Sequence, residues 1–118
     1  MSKNSAHVFQ MHRNRAFITQ SGLCFYCHQP MWLSKKGSFI SDYCLAVKKA
    51  NLLQCTAEHL KARQDGGGNS AINIVAACKF CNNTRHKAKK ALPPDLYRIY
   101  VQKRLSKNSW HQILINPI

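Results

Sequence analysis

Two pairs of cysteines, each separated by two residues, limit what this chain can fold into more than any other feature. Cys24-Phe25-Tyr26-Cys27 and Cys78-Lys79-Phe80-Cys81 are tight turns in which both thiolates of a pair can reach one ion. One pair alone is a weak signal, shared with thioredoxin-like redox motifs that need only one pair in a parallel-sheet context. Two pairs supply four thiolates, so Cys24, Cys27, Cys78 and Cys81 are expected to complete a tetrahedral, structural zinc site. The 50 residues between the pairs exceed the usual ribbon spacing, so a whole subdomain must sit between the two turns. Cys44 and Cys55 fall outside this spacing and read as small buried hydrophobes.

At 118 residues there is room for one domain, 1–118, whose small core makes metal ligation a common supplement. Lys and Arg number 18 against 4 Asp and Glu, a formal charge of +14. Such an excess repels itself and calls for a polyanionic partner, nucleic acid first and an anionic membrane surface second. Met1 to Gln20 has no continuous apolar region, and no stretch approaches the length of a transmembrane helix. The expectation is a soluble, cytoplasmic chain with no membrane partner, where cysteines are metal ligands rather than disulfides.

Taken in order, residues 1–6 are polar. His7 to Gln20 reads as a short helix ending before Ser21-Gly22, with Arg13 and Arg15 on a basic face able to touch phosphates. Residues 28–41 read as an irregular loop whose Met31, Trp32 and Phe39 pack over the first cysteine turn. A helix is expected from Asp42 to Leu53, capped by Ser41 or Asp42. Gln54 to His59 reads as a strand, Gln64 to Ser70 as a glycine loop, and Asn73 to Ala77 as the antiparallel return strand. The loop lacks the GxxxxGK[ST] pattern, which excludes a P-loop nucleotide site. Asn82 or Asn83 should cap a helix running to about Leu92, before Pro93-Pro94. A last helix, Asp95 to Leu105, should turn Leu96, Ile99, Tyr100 and Leu105 inward and Arg98, Lys103 and Arg104 outward, with Trp110 and Ile113 packing back on the core.

Hydrolysis of a phosphodiester needs a base for water, a divalent ion against the charge of the phosphate, and stabilisation of the leaving oxygen. A neutral histidine can be the base, and a carboxylate, a histidine and an amide oxygen can hold an ion with positions left open. Glu58, Asn82 and His86 are such a set, and Asn82 and His86 lie one helical turn apart. Glu58 beside His59 fits ligand beside base if the strand ends or bulges there, because regular alternation points neighbours apart. Glu58-His59, Asn73 and Asn82, with CxxC on both sides, resemble the HNH endonuclease family and its ββα-metal (His-Me finger) fold. His59 and Asn73 are 14 positions apart and Asn73 and Asn82 are 9 apart, as in the family pattern. The resemblance is close over about 53–87, with a catalytic core of about 53–91 and the turn at 24–27 adding to it.

It implies a small α+β fold: a ββα core, a four-cysteine zinc site and flanking helices with basic ends. It implies His59 as general base, Asn73 bracing the ribbon and orienting that histidine, and Glu58 and Asn82 as ligands of one divalent ion, commonly magnesium. His86 matches a further metal ligand of some members. Two positions depart from the commonest pattern, Glu58 for Asp or His and Asn82 for His. The expected partner is DNA, double-stranded, met by Arg13, Arg15, Arg85, Lys87, Lys89 and Lys90. Two other readings use the same residues: a non-catalytic zinc-ribbon binding module, and an RNase.

Overall fold

The computed structural model describes residues 3–117, with side chains for 7–63 and 65–117. Two antiparallel strands, β1 (Cys55–His59) and β2 (Ile74–Cys78), pair with Cys55 opposite Cys78 and Glu58 opposite Val75. Helix α4 (Lys79–Lys87) follows β2 directly and completes the expected ββα unit. Helix α1 (Lys3–Thr19) packs on both strands. It starts earlier than the sequence reads it, and residues 1 and 2 lie outside the described ones. Its end is a Schellman closure: Gly22 N–H donates to Phe17 O at 2.8 Å and Ser21 N–H to Ile18 O at 3.0 Å. The left-handed residue of that closure is Ser21, at φ 56°, ahead of Gly22 at φ 75°. Gln20 then clamps the free edge of β2, its amide accepting from Ala76 N–H at 3.0 Å and donating to Ala76 O at 2.8 Å.

Between the first cysteine turn and β1 the structure departs from the reading. Helix α2 (Lys36–Tyr43) begins within the stretch 28–41 where a loop is expected. Phe39 and Tyr43, one turn apart, meet edge to face at 4.9 Å, and burial of Phe39 outweighs the poor helix propensity of Gly37 and Ser38. The helix read from Asp42 to Leu53 is interrupted. Cys44 takes a left-handed conformation at φ 52°, closes α2 by donating to Ile40 O, and leaves only α3 (Val47–Leu52) beyond. Cys44 is therefore exposed, not buried as expected, whereas Cys55 is buried, and burial pushes its thiol up to about 12.

At α4 the cap is Cys78, whose Sγ accepts from Cys81 N–H at 3.4 Å. Asn82 is inside the helix, free of the capping role read for it, and the helix stops at Lys87 rather than near Leu92. The last helix, α5 (Pro94–Ser106), buries Tyr97, Val101 and Leu105. Leu96, Ile99 and Tyr100 face solvent, a shift of one position from the expected stripe. Arg98 is turned in, stacking 4.0 Å above the Phe25 ring and donating to Phe25 O. Trp110 and Ile113 do return to the core. The tail is pinned by Gln29, whose buried Oε1 accepts from Ile115 N–H at 2.6 Å and Asn116 N–H at 2.9 Å. Among the described residues, no helix is long and apolar enough to cross a membrane.

His111 makes this packing sensitive to acid. Its ring is 2% exposed, its Nδ1 accepts from Ile113 N–H, and burial lowers its pKa from 6.5 to about 4. The unfolded chain takes up this proton near 6.5, the folded chain only near 4. Stability from this residue is thus complete above pH 6.5 and falls as pH drops to 4, by up to about 3 kcal/mol. Urea unfolding of wild-type protein and His111→Asn at pH 7 and pH 4.5 should give a smaller acid loss in the variant.

Candidate active site and metal centre

The four sulfurs of Cys24, Cys27, Cys78 and Cys81 lie within 4.8 Å of one another, and all four residues are buried. Cys27 and Cys78 sulfurs are 3.9 Å apart, close to the separation of about 3.8 Å that four ligands at 2.3 Å from a tetrahedral zinc require. Backbone and indole N–H groups point at these sulfurs. Cys24 Sγ accepts from Tyr26 N at 3.4 Å and Cys78 N at 3.2 Å, and Cys81 Sγ from Trp110 Nε1 at 3.3 Å. Burial pushes the Cys78 and Cys81 thiols well up. Burial alone would also raise Cys24, but hydrogen bonds from the other three thiols hold it well below the usual range. Four converging buried sulfurs are the donor set that a thiophilic divalent cation takes by displacing the thiol protons. The donors fit zinc and leave no open position.

At the end of β1 opposite the Cys55–Cys78 pair, a second group gathers. Glu58, His59, Ala62, Arg63, Asn82 and His86 line one cavity of about 250 Å³. Alternation sends Glu58 towards α4, while His59 packs its ring on Phe9 of α1 at 5.1 Å. Both still reach the cavity because β1 ends at His59. The Glu58 side chain is only 1% exposed and uses its two oxygens differently. Oε2 accepts from Tyr26 Oη at 2.8 Å and Arg85 Nη1 at 3.0 Å, whereas Oε1 meets His86 Nε2 at 2.7 Å. Burial, and then the charge of Glu58, push the Tyr26 phenol far above its usual range, so it donates. Asn82 spends its Nδ2 on Thr56 Oγ1 at 3.0 Å and Ala57 O at 3.1 Å, and among the described residues its Oδ1 has no hydrogen-bond donor. Oε1 and that amide oxygen are donors suited to a hard divalent ion, and the His86 ring nitrogen adds a borderline donor, with positions left for water.

Asn73 does one of the two things expected of it. Its Oδ1 accepts from Lys61 N–H at 2.8 Å, and its Nδ2 donates to Lys61 O and Gly68 O, closing the loop between the strands. With its amide spent on backbone, it makes no hydrogen bond to His59. That contact belongs to Asn69, whose Oδ1 lies 2.8 Å from His59 Nε2. An amide oxygen only accepts, so Nε2 is the donor of this pair, and in the neutral ring the lone pair is then on Nδ1. The loop itself depends on Gly67, where a Cβ would stand 1.8 Å from Lys61 O.

Arg85 corrects the expected cationic surface. It is 4% exposed, and its guanidinium donates to Glu58 Oε2 and to the carbonyls of His59, Leu60 and Leu92, so it is not available to phosphate. Arg15, Lys87, Lys89 and Lys90 are exposed, and Arg13 is half-buried. Arg63, exposed at the cavity, is a cation the sequence reading does not single out. Tyr26 and Asn69 are likewise absent from it. One sits between two metal ligands and the other in a polar loop, and only the tertiary contacts give either a partner at the site.

Residues 42–88 match the model of the HNH endonuclease family. That segment contains β1, β2 and α4, the second cysteine pair and every residue lining the cavity. No curated protein and no solved structure matches the chain.

The four-cysteine centre should answer to single substitutions. Cys78→Ser should lose the bound zinc and the cooperative melt, because it removes a ligand and the α4 cap together. Cys44→Ser should keep both, its sulfur being exposed and outside the cluster. Zinc content by mass spectrometry and thermal melts check the pair.

Proposed function

We propose, from the match of residues 42–88 to the HNH endonuclease model, that the chain is a metal-dependent endonuclease acting on double-stranded DNA, with its active site in the cavity between β1 and α4. The observation that carries this reading is that one cavity is lined together by Glu58, His59, Asn82 and His86. A binding module held by four cysteines has no use for that constellation. The four-cysteine centre takes zinc and serves the fold, since a closed tetrahedral site has no position for water. Glu58 Oε1, Asn82 Oδ1 and His86 would hold one divalent ion, magnesium as the resemblance implies, which when bound would supply charge against the scissile phosphate and leaving oxygen.

His59 is the general base. Donating its Nε2–H to Asn69 Oδ1, it presents the Nδ1 lone pair to a water molecule and takes a proton from that water as the water oxygen attacks phosphorus. Phe9 against one ring face and Asn69 at Nε2 hold the imidazole in one orientation and tautomer. Asn73 fixes the loop that carries Asn69, so it acts on His59 at one remove. Arg63 meets a phosphate oxygen at the cavity, and Arg13, Arg15, Lys87, Lys89 and Lys90 extend the cationic surface along the duplex.

His59→Ala should lower cleavage of supercoiled plasmid by about two to four powers of ten while leaving DNA binding and the melting temperature nearly unchanged. Extra magnesium or manganese should not restore it, whereas Glu58→Ala and Asn82→Ala, which weaken ion binding, should recover in part. Wild-type rates from pure His59→Ala would contradict the assignment, and a matched RNA substrate distinguishes an RNase.

Phosphate contacts should dominate affinity. If about six phosphates are neutralised, the logarithm of the binding constant falls with the logarithm of salt at a slope near −5, measured with catalysis blocked by chelator. An affinity almost independent of salt would separate the +14 charge from DNA binding.

A further inference from the structure

We propose that Tyr26 is a positioning residue for the active-site carboxylate, so that the first cysteine turn serves the reaction as well as the fold. The inference rests on the reading of Glu58 as a ligand of the catalytic ion. Tyr26 stands between Cys24 and Cys27 and is wholly buried. Its backbone is fixed twice, by N–H to Cys24 Sγ at 3.4 Å and by its carbonyl accepting from Gln102 Nε2 at 2.6 Å. Its ring is fixed too, edge to face with Phe25 at 5.2 Å and with Tyr97 at 4.8 Å. A phenylalanine would make these packing contacts equally well. What the hydroxyl adds is one hydrogen bond, to Glu58 Oε2 at 2.8 Å.

That bond matters because of where the other donors lie. A carboxylate can rotate about its last bond and offer either oxygen, or both, to an ion. Here Tyr26 and Arg85 both hold Oε2, from the cysteine turn and from α4, and Oε1 alone is turned to His86. Glu58 is thereby set to bind through one oxygen, in one orientation, before any ion arrives. Hydrogen bonds that orient a metal ligand typically contribute about 10- to 100-fold to metal affinity or activity. Arg85 also supports four backbone contacts to three carbonyls, so its removal would disturb far more than the carboxylate. Tyr26 can be reduced to this single contact.

The test is Tyr26→Phe in the full chain, with manganese binding counted from the free-ion signal in electron paramagnetic resonance, in the absence of DNA. The manganese dissociation constant should rise about tenfold or more, and plasmid cleavage should need correspondingly more ion while reaching the wild-type maximum. Zinc content and a cooperative melt should be kept, whereas a purely structural role for the hydroxyl would lower the melting temperature and leave the manganese dissociation constant unchanged. Because Tyr26 acts through Glu58, Tyr26→Phe added to Glu58→Gln should weaken manganese binding no further. An unchanged dissociation constant in Tyr26→Phe, loss of zinc from it, or full additivity with Glu58→Gln would each overturn the proposal. The underlying reading fails separately, if Glu58→Gln itself binds manganese as wild type does.

Discussion

Four buried sulfurs drawn within 4.8 Å of one another hold this molecule together. They join a turn at residues 24–27 to the junction of β2 and α4, which the chain separates by 50 residues. The core around them is small and largely made of the cluster's own neighbours: Tyr26, Met31, Leu53, Ala76, Ala77, Tyr97 and Val101. A two-stranded ribbon is marginal by itself, and this one gains its stability from α1 on the strands and from the cysteine centre at one end. Cys78 concentrates the dependence. It ends β2, caps α4 and contributes a sulfur to the cluster, so a metal held there would fix the angle at which α4 leaves the strand.

That angle decides the site. Asn82, Arg85 and His86 lie on successive turns of α4 and reach back to β1 at Thr56, Ala57, Glu58 and His59. Arg85 is the hub of this contact. A buried guanidinium is tolerable only with its donors filled, and here a carboxylate and three carbonyls fill them. The pair Arg85–Glu58 neutralises itself, so the carboxylate can be buried beside the cavity without an ion. In the proposed reaction this leaves Oε1 as the working atom and gives the rest of Glu58 to the fold.

Much of this was legible from residue types at fixed spacing. The cysteine pairs announce the metal centre, and Glu58-His59, Asn73 and Asn82 point to a ββα unit through their resemblance to the HNH pattern. Less was legible where tertiary packing overrides local preference. Gly37 and Ser38 argue against a helix that Phe39 nevertheless pulls into the core. Cys44 carries a left-handed turn that nothing in its type predicts. On α5 the apolar residues run almost all round, so the buried face cannot be chosen by period, and Tyr97 and Val101 win over Leu96 and Ile99. Arg85 looks like one more cation of a basic run until its partners are known, and Asn69 and Tyr26 become part of the site only through contacts across the fold.

The account as a whole requires two metal positions of opposite character, a closed soft one at the cysteines and an open hard one at the end of β1. Anomalous diffraction from crystals of the zinc-loaded protein soaked in manganese tests this directly. The account predicts a zinc peak at the centre of the four sulfurs and a separate manganese peak in the cavity, within coordination distance of Glu58 Oε1. A cavity without manganese at saturating concentration, or manganese found at the sulfurs instead, would contradict it.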